Sequence, residues 1–469
     1  MEKDGPTPCA NCQRLQAQID ALQAELAQLR EQVASLSKDS STSSKPPSSD
    51  IVKPPKPSPP PGQDSRKPGG QPGHAPHFRQ PFTPQQLTAP PQEHRLLCCP
   101  GCGGSLHPSG CAPRVVQQVE VLQAPLAIEE HRSIAGWCPR CCATHYAPLP
   151  QAVQAGGLLG PRLTALVGYL KGACHASFST IRKFLRDVIG VTVSRGHLVQ
   201  VIAKVSDALE GPYEGLLACL RTEPVLNVDE TGHKDKGDAW WTWCFRAELY
   251  TLFKVDPRRS ADVLMEVLGE EFDGVIGCDH FSAYRRYMRE CGVAVQFCLA
   301  HLIRDVKYLM TLPGLEEILY GLRLELALKG LFGVIHRREQ LPAEEFARGL
   351  QQAKAAVLKA GQEEVPQAKA CQAMAKRLAK YGQDYFTFIT TPGLGPTNNL
   401  AEQAIRFVVI DRVVTQGTRG EAGRRFCERM WTALATCAQQ GRSAFEYLEE
   451  AVQAHFQGSP APALAPAVR

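Results

Sequence analysis

The fold is decided by residues 224–310, which read PVLNVDETGHKDKGDAWWTWCFRAELYTLFKVDPRRSADVLMEVLGEEFDGVIGCDHFSAYRRYMRECGVAVQFCLAHLIRDVKYLM. Five apolar runs predict strands, and they are VLNVDET, AWWTWCFRAE, YTLFKVD, GVIGCD and VAVQFC. Helical patterns follow the third, fourth and fifth runs. The order strand-strand-strand-helix-strand-helix-strand-helix predicts a mixed sheet flanked by helices, and so an α/β fold.

Two acids stand at equivalent places in this stretch. Asp229 and Asp279 each close an apolar run, so both are expected at the ends of buried strands. Two neighbouring carboxylates repel each other unless a cation lies between them, and their hard oxygens suit Mg2+ or Mn2+. Two such ions about 4 Å apart can activate a nucleophile and stabilise the leaving oxygen of a phosphodiester. The alternative is that each aspartate caps a helix or a turn, and Thr231 favours a turn after Asp229.

Length and composition bound the class of protein. The chain has 469 residues, of which 43% are hydrophobic and 21% charged, so several domains with cores are expected. A formal charge of +5 excludes a uniformly basic protein but not a basic face on one domain. No apolar run of about 18 residues predicts a membrane span, and the polar N-terminus lacks a secretory signal. We expect a cytoplasmic protein whose 18 cysteines bind metal or stay as buried thiols.

The N-terminal region, residues 1–40, predicts a coiled coil. Apolar residues recur at alternating spacings of four and three, as heptad a and d positions do, and they are Leu15, Ile19, Leu22, Leu26, Leu29, Val33 and Leu36. We expect a homo-oligomer through this seam, the alternative being an amphipathic helix packed on its own chain. Residues 41–92 are rich in proline and poor in large apolar residues, which predicts a disordered linker.

Residues 93–150 predict a zinc ribbon. Two Cys-Pro-x-Cys knuckles supply four thiolates, the tetrahedral set that structural Zn2+ prefers, and the predicted ligands are Cys99, Cys102, Cys138 and Cys141. The sequence between the knuckles alternates as strands do. A register through Cys98 or Cys142 is an alternative. A redox-active dithiol is another, but it does not account for two matched knuckles.

Residues 155–215 predict a helical, helix-turn-helix-like segment that binds DNA. Two helical patterns flank a break at 189–191, and Ser194 is placed to cap the second helix. Between positions 160 and 205 there are seven basic residues and one acidic residue, and this excess of positive charge favours contact with phosphates. The expected contacts are Arg182, Lys183, Arg186 and Arg195. The alternative is a helical connector with a solvated face.

The sequence resembles the transposases of the insertion sequence 66 family. The motifs that carry the resemblance are Asp229-Glu230-Thr231, Cys278-Asp279 followed by Tyr284, Ala300-His301 with Arg304, and Asn398-Asn399-Leu400-Ala401-Glu402 with Arg406. The coiled coil, the Ser-Lys-Pro-Pro-Ser-Ser-Asp stretch at 44–50 and the cysteine knuckles follow that family's order. The sequence departs from the family pattern at His280, where a glycine is common, and at 410–417, which lacks a Gly-Arg-Lys-Asn-Trp-like segment.

The resemblance implies a DDE transposase with an RNase H-like catalytic core. Asp229, Asp279 and Glu402 would be the catalytic acids that bind Mg2+ or Mn2+. The core would comprise residues 222–311 and 393–450, separated by a helical insertion at 312–392 and followed by a disordered tail at 451–469. The implied reaction is cleavage at the ends of a DNA element and transfer of those ends to target DNA. Accessory proteins of the same element and association with the nucleoid are also implied.

Three further residues are expected near the acids on the strength of the resemblance. His301 and Arg304 would contact phosphate, with a packing role as the alternative for His301. Arg406 lies one helical turn after Glu402 and would orient it or contact DNA. Two other functions use the same features: a zinc-ribbon DNA-binding regulator without catalysis, and an RNase H-like nuclease that cuts without joining.

Overall fold

A computed structural model of the chain describes residues 10–36, 83–86, 90, 126–138 and 142–465. The chain divides into two compact units, one of residues 1–54 with 130–469 and one of residues 55–129. In the smaller unit the described residues include a single turn of 3-10 helix, Pro84–Gln86. The predicted ligands Cys99, Cys102 and Cys141, and most of the predicted linker, lie outside the described residues.

Helix α1 spans Ala10–Leu36 and contains the predicted heptads. Six of the seven seam residues, from Leu15 to Val33, have exposures between 47% and 65% in the single chain. An apolar seam this open to water is the surface that a second helix would cover. The coiled coil itself stays a prediction.

A small antiparallel hairpin lies in the region of the second cysteine knuckle. Strands β1 (Ala135–Cys138) and β2 (Ala143–Tyr146) pair with Cys138 opposite Ala143. Cys138, the first residue of the second knuckle, is therefore the last residue of β1. Two strands alone are marginally stable in water, so this hairpin needs support from a further group or surface.

Five helices form the segment that was predicted to bind DNA, and they are α2 (Gln151–Gly156), α3 (Pro161–Gly172), α4 (Phe178–Phe184), α5 (Arg195–Ala208) and α6 (Glu210–Cys219). A π-helical turn extends α4 to Gly190, whose φ of 84° ends the helix without strain. Ser194 caps α5 as predicted, because its Oγ accepts a hydrogen bond from the N–H of His197 at 3.1 Å.

The predicted strands form one five-stranded mixed sheet, made of β3 (Val225–Asp235), β4 (Asp238–Arg246), β5 (Thr251–Asp256), β6 (Val275–Cys278) and β7 (Ala294–Phe297). The strand order is β5-β4-β3-β6-β7. The first three strands are antiparallel, and β6 and β7 run parallel to β3. Helices α7 (Ala261–Leu268), α8 (Ser282–Cys291) and α9 (Leu299–Leu309) follow β5, β6 and β7.

Asp229 differs from its predicted position because β3 continues beyond it. Strand β6 pairs only with residues 225–227 of β3, whereas β4 pairs with β3 as far as Asp235. The hairpin closes through Lys236 and Gly237, both at positive φ, the geometry of a type I′ turn. Asp229 thus lies inside a long strand, just past the point where the parallel pairing ends.

Six more α-helices follow in the described residues, and they are α10 (Leu315–Ile335), α11 (Ala343–Gln362), α12 (Lys369–Tyr381), α13 (Asn399–Thr415), α14 (Glu421–Gln439) and α15 (Ala444–Phe456). The first three lie between α9 and α13 in sequence, where an insertion was predicted. Helix α14 covers the outer edge of β5. Three of its residues, spaced four apart, accept hydrogen bonds from the outward N–H groups of Thr251, Phe253 and Val255, and they are Thr436, Thr432 and Glu428. This pairing blocks an open strand edge.

The disordered tail predicted from residue 451 is corrected by the last helix. Helix α15 spans Ala444–Phe456 and buries Leu448 and Val452. Beyond it, Leu464 is 2% exposed, and the Tyr447 hydroxyl donates to the carbonyl of Pro462 at 2.8 Å. Apolar burial on α15 and on the proline-rich segment after it accounts for the order of these residues.

Candidate active site

Asp229 and Asp279 approach each other because β3 and β6 are parallel neighbours. Asn227 is opposite Gly277, and the same register carried two residues further sets Asp229 beside Asp279. Asp279 follows β6 directly, and its Oδ1 accepts a hydrogen bond from the N–H of Phe281 at 2.9 Å. The carboxyl ends of parallel strands meet at one sheet edge, a common place for functional groups in α/β folds.

Burial and neighbouring acids raise the pKa of Asp229. Burial raises the pKa of Asp229 well above its usual range, and the negative charges of Glu230, Asp279 and Glu402 raise it further. Burial also raises the pKa of Asp279, against the hydrogen bond from Phe281. Carboxylates that are buried together without a cation favour the protonated form. The three predicted acids therefore lie close enough to interact electrostatically, although they come from segments far apart in sequence.

Glu402 enters this site from the first turn of α13. Its two carboxylate oxygens lie 3.6 Å from Nδ1 of His301 and 3.6 Å from a guanidinium nitrogen of Arg304. These distances are too long for hydrogen bonds. Oε1 of Glu402 and Nδ1 of His301 are accordingly buried without a hydrogen-bond partner. His301 and Arg304 thus lie beside a predicted acid, as the resemblance implies.

His301 is neutral at pH 7 in this setting. Burial, followed by the positive charges of Arg304 and Arg377, lowers its pKa to about 4. Arg377 is held by hydrogen bonds to Asp305 and to the hydroxyl of Tyr385. An uncharged imidazole can donate or accept a hydrogen bond, or bind a metal, without adding charge.

Asn398 joins the segments that carry the acids. Its side chain is 1% exposed. Its Nδ2 donates to the carbonyl of Val228 at 2.7 Å, and its Oδ1 accepts from Nδ2 of Asn227 at 3.0 Å. Its backbone N–H donates to Sγ of Cys298 at 3.1 Å. Asn398 thus connects β3 and the start of α9 to the start of α13, and does not cap α13 with its side chain as a typical helix-initiating asparagine would.

Replacing Asn398 with alanine will lower the stability of the protein by at least about 2 kcal/mol. The substitution leaves the buried Val228 carbonyl and Asn227 amide without these partners, and each such group costs about 1–3 kcal/mol. Asn399→Ala is the matched control, because Asn399 is adjacent and exposed. Chemical denaturation monitored by circular dichroism measures the difference. Equal midpoints for the two variants would contradict the role of Asn398.

Glu230 is a site residue whose environment the sequence did not predict. It follows Asp229 on the strand and so faces the opposite side of the sheet. Its side chain is 1% exposed and accepts hydrogen bonds from the hydroxyl of Tyr284 and from Arg259, the latter at 2.8 Å. Burial, followed by the charge of Asp279, raises its pKa to about 7. The guanidinium of Arg259 lies 4.1 Å from the ring of Phe281, which fixes its position.

Asp229, Asp279 and Glu402 are the residues at this edge whose oxygens could hold a hard divalent cation. Among the described residues, the ligand atoms found within 4.8 Å of one another belong to Cys298, His301 and Glu402. Burial keeps Cys298 a thiol by raising its pKa, and a thiol is a poor ligand for Mg2+. The three acids are gathered less tightly, but the charges of Asp279 and Glu402 raise the pKa of Asp229, and Glu402 has an unpartnered oxygen. A cation among the carboxylates would offset the repulsion that raises the pKa of Asp229 and would give the unpartnered oxygen of Glu402 a partner.

The basic residues predicted to contact DNA lie at the surface. Arg182, Lys183, Arg186 and Arg195 are all exposed, and Arg186 pairs with Asp187. Two other basic residues of this segment have structural partners: Arg162 pairs with Glu449, and Lys204 donates to the carbonyls that end α2. Arg406 is exposed one turn beyond Glu402, whereas the carboxylate of Glu402 lies beside the neutral imidazole of His301 and the guanidinium of Arg304.

Departures from the family pattern also have local explanations. The imidazole of His280 is enclosed by the rings of Phe297 and Tyr381, at centroid distances of 4.9 and 5.2 Å. Arg412 donates to the hydroxyl of Thr231 at 3.1 Å and so ties α13 to β3.

Within the described residues, no helix is long and apolar enough to cross a membrane.

Comparisons with known proteins give matches over much of the chain. A model described as "Transposase IS66 family" matches residues 156–425, and a model of a family of unknown function, DUF6444, matches residues 7–80. An uncharacterized protein, y4jD of Sinorhizobium fredii (strain NBRC 101917 / NGR234), is 26% identical over 249 residues. That match covers 48% of this chain and 48% of the relative, so the chain spans about half the length of the curated relative. The transposase model covers more than half of the chain, including every predicted acid, and the protein belongs to the IS66 family of transposases.

Proposed function

We propose that the protein cleaves DNA at the ends of an insertion element and transfers those ends to target DNA. The observation that carries this proposal is the approach of Asp229, Asp279 and Glu402 at one edge of the sheet. The charges of Asp279 and Glu402 there raise the pKa of Asp229. Membership of a transposase family makes DNA transposition the general process.

An RNase H-like core is part of the same proposal. Three antiparallel strands followed by two parallel ones, in the order β5-β4-β3-β6-β7, are the arrangement expected of such a core. Helices α10 to α12 would then be its insertion. The strand order supports the proposal because β3, which contains Asp229, is the parallel neighbour of β6, which Asp279 follows.

The residues of the chain have distinct tasks in this proposal. Asp229, Asp279 and Glu402 would hold Mg2+ or Mn2+, which when bound activates an attacking water or hydroxyl and neutralises charge on the leaving oxygen. Asn398 keeps the start of α13, and so Glu402, against β3. The N–H of Phe281 fixes the orientation of the Asp279 carboxylate. Arg304 offers positive charge beside Glu402, where a phosphate oxygen would approach.

A joining assay tests the function. The full-length chain is incubated with Mg2+, linear DNA that carries the inverted repeats bordering its own element, and a supercoiled target. A transposase yields covalently joined products that require the divalent cation. Cutting without joining would favour the nuclease, and end binding without cutting would favour the DNA-binding regulator.

The zinc ribbon is proposed for the cysteine knuckles. The protein is expected to contain about one equivalent of Zn2+, and Cys99→Ser should lose it, because a structural site needs all four thiolates. Cys111→Ser is the matched control in the same segment. Metal content measured by inductively coupled plasma mass spectrometry checks the result. Full zinc content in Cys99→Ser would contradict the ligand set.

The remaining expectations complete the proposed assembly. The exposed seam of α1 would pair with a second copy of the chain, bringing two active sites to two DNA ends. The exposed basic residues of α4 and α5 would contact DNA phosphates. Accessory proteins of the same element and association with the nucleoid would follow from this role.

A further inference from the structure

A second polar site lies next to the acids. A cavity of about 330 Å3 is lined by four arginines, two serines, two alanines and a tyrosine, and they are Arg259, Arg285, Arg286, Arg289, Ser260, Ser282, Ala261, Ala283 and Tyr381. Arg259 also donates to Glu230, the neighbour of Asp229. One wall of this four-arginine pocket is therefore shared with the surroundings of the predicted acids.

The acids within reach only partly balance the four guanidinium groups. Arg286 pairs with Asp262 at 3.1 Å and with Glu290 at 2.9 Å, and Arg289 shares Glu290 at 3.3 Å. Arg285 lies 6.0 Å from the ring of Tyr381, and its Nε is buried without a hydrogen-bond partner. A buried unpaired guanidinium nitrogen is costly, so its presence points to a missing acceptor.

The backbone adds further donors. Helix α7 begins at Ala261 and helix α8 at Ser282, and both residues line the pocket. The first N–H groups of a helix have no acceptors within the helix and favour negative charge. A hydrogen bond with Lys380, followed by the positive charges of Lys380 and Arg285, lowers the pKa of the Tyr381 hydroxyl.

We propose that the four-arginine pocket binds a backbone phosphate of the DNA strand that enters the active site. The proposal rests on the proposed function, and it assigns a position to the strand beside the scissile phosphodiester. Planar guanidinium groups suit phosphate oxygens because they offer paired donors in a fixed geometry. The competing role is a structural ion-pair network that only joins α7 to α8.

Salt-dependent DNA binding tests the proposal. The full-length protein is titrated onto a fluorescein-labelled duplex of about 40 base pairs, at salt concentrations from about 50 to 200 mM, and followed by anisotropy. The double variant Arg285→Gln/Arg289→Gln should bind about tenfold more weakly at low salt. Its plot of log affinity against log salt should be less steep by about 0.9 for the lost phosphate contact. Arg286 is kept, because it holds α7 and α8 together through Asp262 and Glu290.

Two further variants separate the pocket from surface charge and from folding. Glu290→Gln removes an acid that competes for Arg286 and Arg289, so it should tighten binding. Arg348→Gln removes an exposed positive charge on α11 and should leave the slope unchanged. Thermal unfolding verifies that each variant is folded. If the double variant and Arg348→Gln give the same slope as the unmodified protein, the pocket binds no DNA phosphate and the ion-pair network stands alone.

Failure of the inference and failure of the proposed function give different results. Joining by the unmodified protein, with an unchanged slope in the double variant, overturns the pocket only. A reduced slope in the double variant, with neither cutting nor joining by the unmodified protein, overturns the function and supports the pocket. Absence of DNA binding by the unmodified protein overturns both.

Discussion

Asp279→Asn is expected to reduce strand joining strongly and, at the same time, to stabilise the metal-free protein. Asparagine keeps the oxygen that accepts the N–H of Phe281, so the local turn survives. It removes a negative charge from a group of buried acids that repel one another. Activity falls because a neutral amide binds a hard divalent cation poorly. Stability rises because the charge no longer has to be buried.

The size of both effects can be measured. Loss of one carboxylate from the proposed metal site should reduce joining by about a hundredfold to a thousandfold, as does loss of a preorganised electrostatic group in other enzymes. The metal-free variant should also be more stable than the unmodified protein at pH 7, because burial raises the pKa of Asp279 and so disfavours its charged form. Joining assays and chemical denaturation in a chelator check the two results.

The control is an aspartate outside the acid group. Asp273→Asn changes the same residue type six positions earlier in sequence, at an exposed site, and should alter neither joining nor stability. Unchanged joining in Asp279→Asn would overturn its role. Lost joining with lower stability would instead indicate that Asp279 holds the fold together, because a purely structural acid stabilises the chain that it belongs to.

The sequence predicts the sheet and its first two acids for a local reason. Apolar runs of strand length carry their own signal, and an acid closing such a run is visible within a few residues. Asp229 and Asp279 are therefore found without any knowledge of tertiary contacts. The length of β3 is missed because the hairpin beyond Asp229 is polar, and its pairing with β4 depends on the turn at Lys236 and Gly237.

Other features depend on contacts that no local pattern records. Glu402 is separated from Asp279 by 123 positions, so only the family resemblance singles it out. Asn398 reads as a helix-initiating residue, yet its side chain bonds to β3, about 170 residues away in the chain. Arg259 shows no periodicity or motif, and its link to Glu230 exists only after β3 and the segment before α7 have packed together.

The pH dependence of stability offers a second large effect, and Glu230→Gln isolates it. An unfolded glutamate titrates near pH 4.3, whereas burial and Asp279 raise the pKa of folded Glu230 to about 7. Between these values the folded chain binds more protons than the unfolded chain. The contribution of Glu230 to stability is therefore present at low pH and is lost as pH rises towards 7.

Buried histidines change the stability with pH in the opposite direction to Glu230. The effect of Glu230 is therefore measured as the difference in free energy of unfolding between Glu230→Gln and the unmodified protein. Burial lowers the pKa of His233 to about 4, of His280 to about 3 and of His301 to about 4. Each is more readily protonated in the unfolded chain, whose histidines titrate near 6.5, so their contributions to stability increase as pH rises from about 4 to about 6.5. Subtracting the free energy of unfolding of the unmodified protein from that of Glu230→Gln cancels the histidine contributions to first order.

The stability of Glu230→Gln relative to the unmodified protein should therefore grow by about 3 kcal/mol between pH 4.5 and 7, in a chelator, as a shift of that size implies. Glutamine still accepts the hydroxyl of Tyr284, so packing is preserved. Glu271→Gln, at an exposed position, should give a difference that is constant with pH. A constant difference for Glu230→Gln as well would mean that Arg259 fully neutralises Glu230. The acid group would then consist of Asp229, Asp279 and Glu402 alone, since the charge of Glu230 would no longer act on its neighbour.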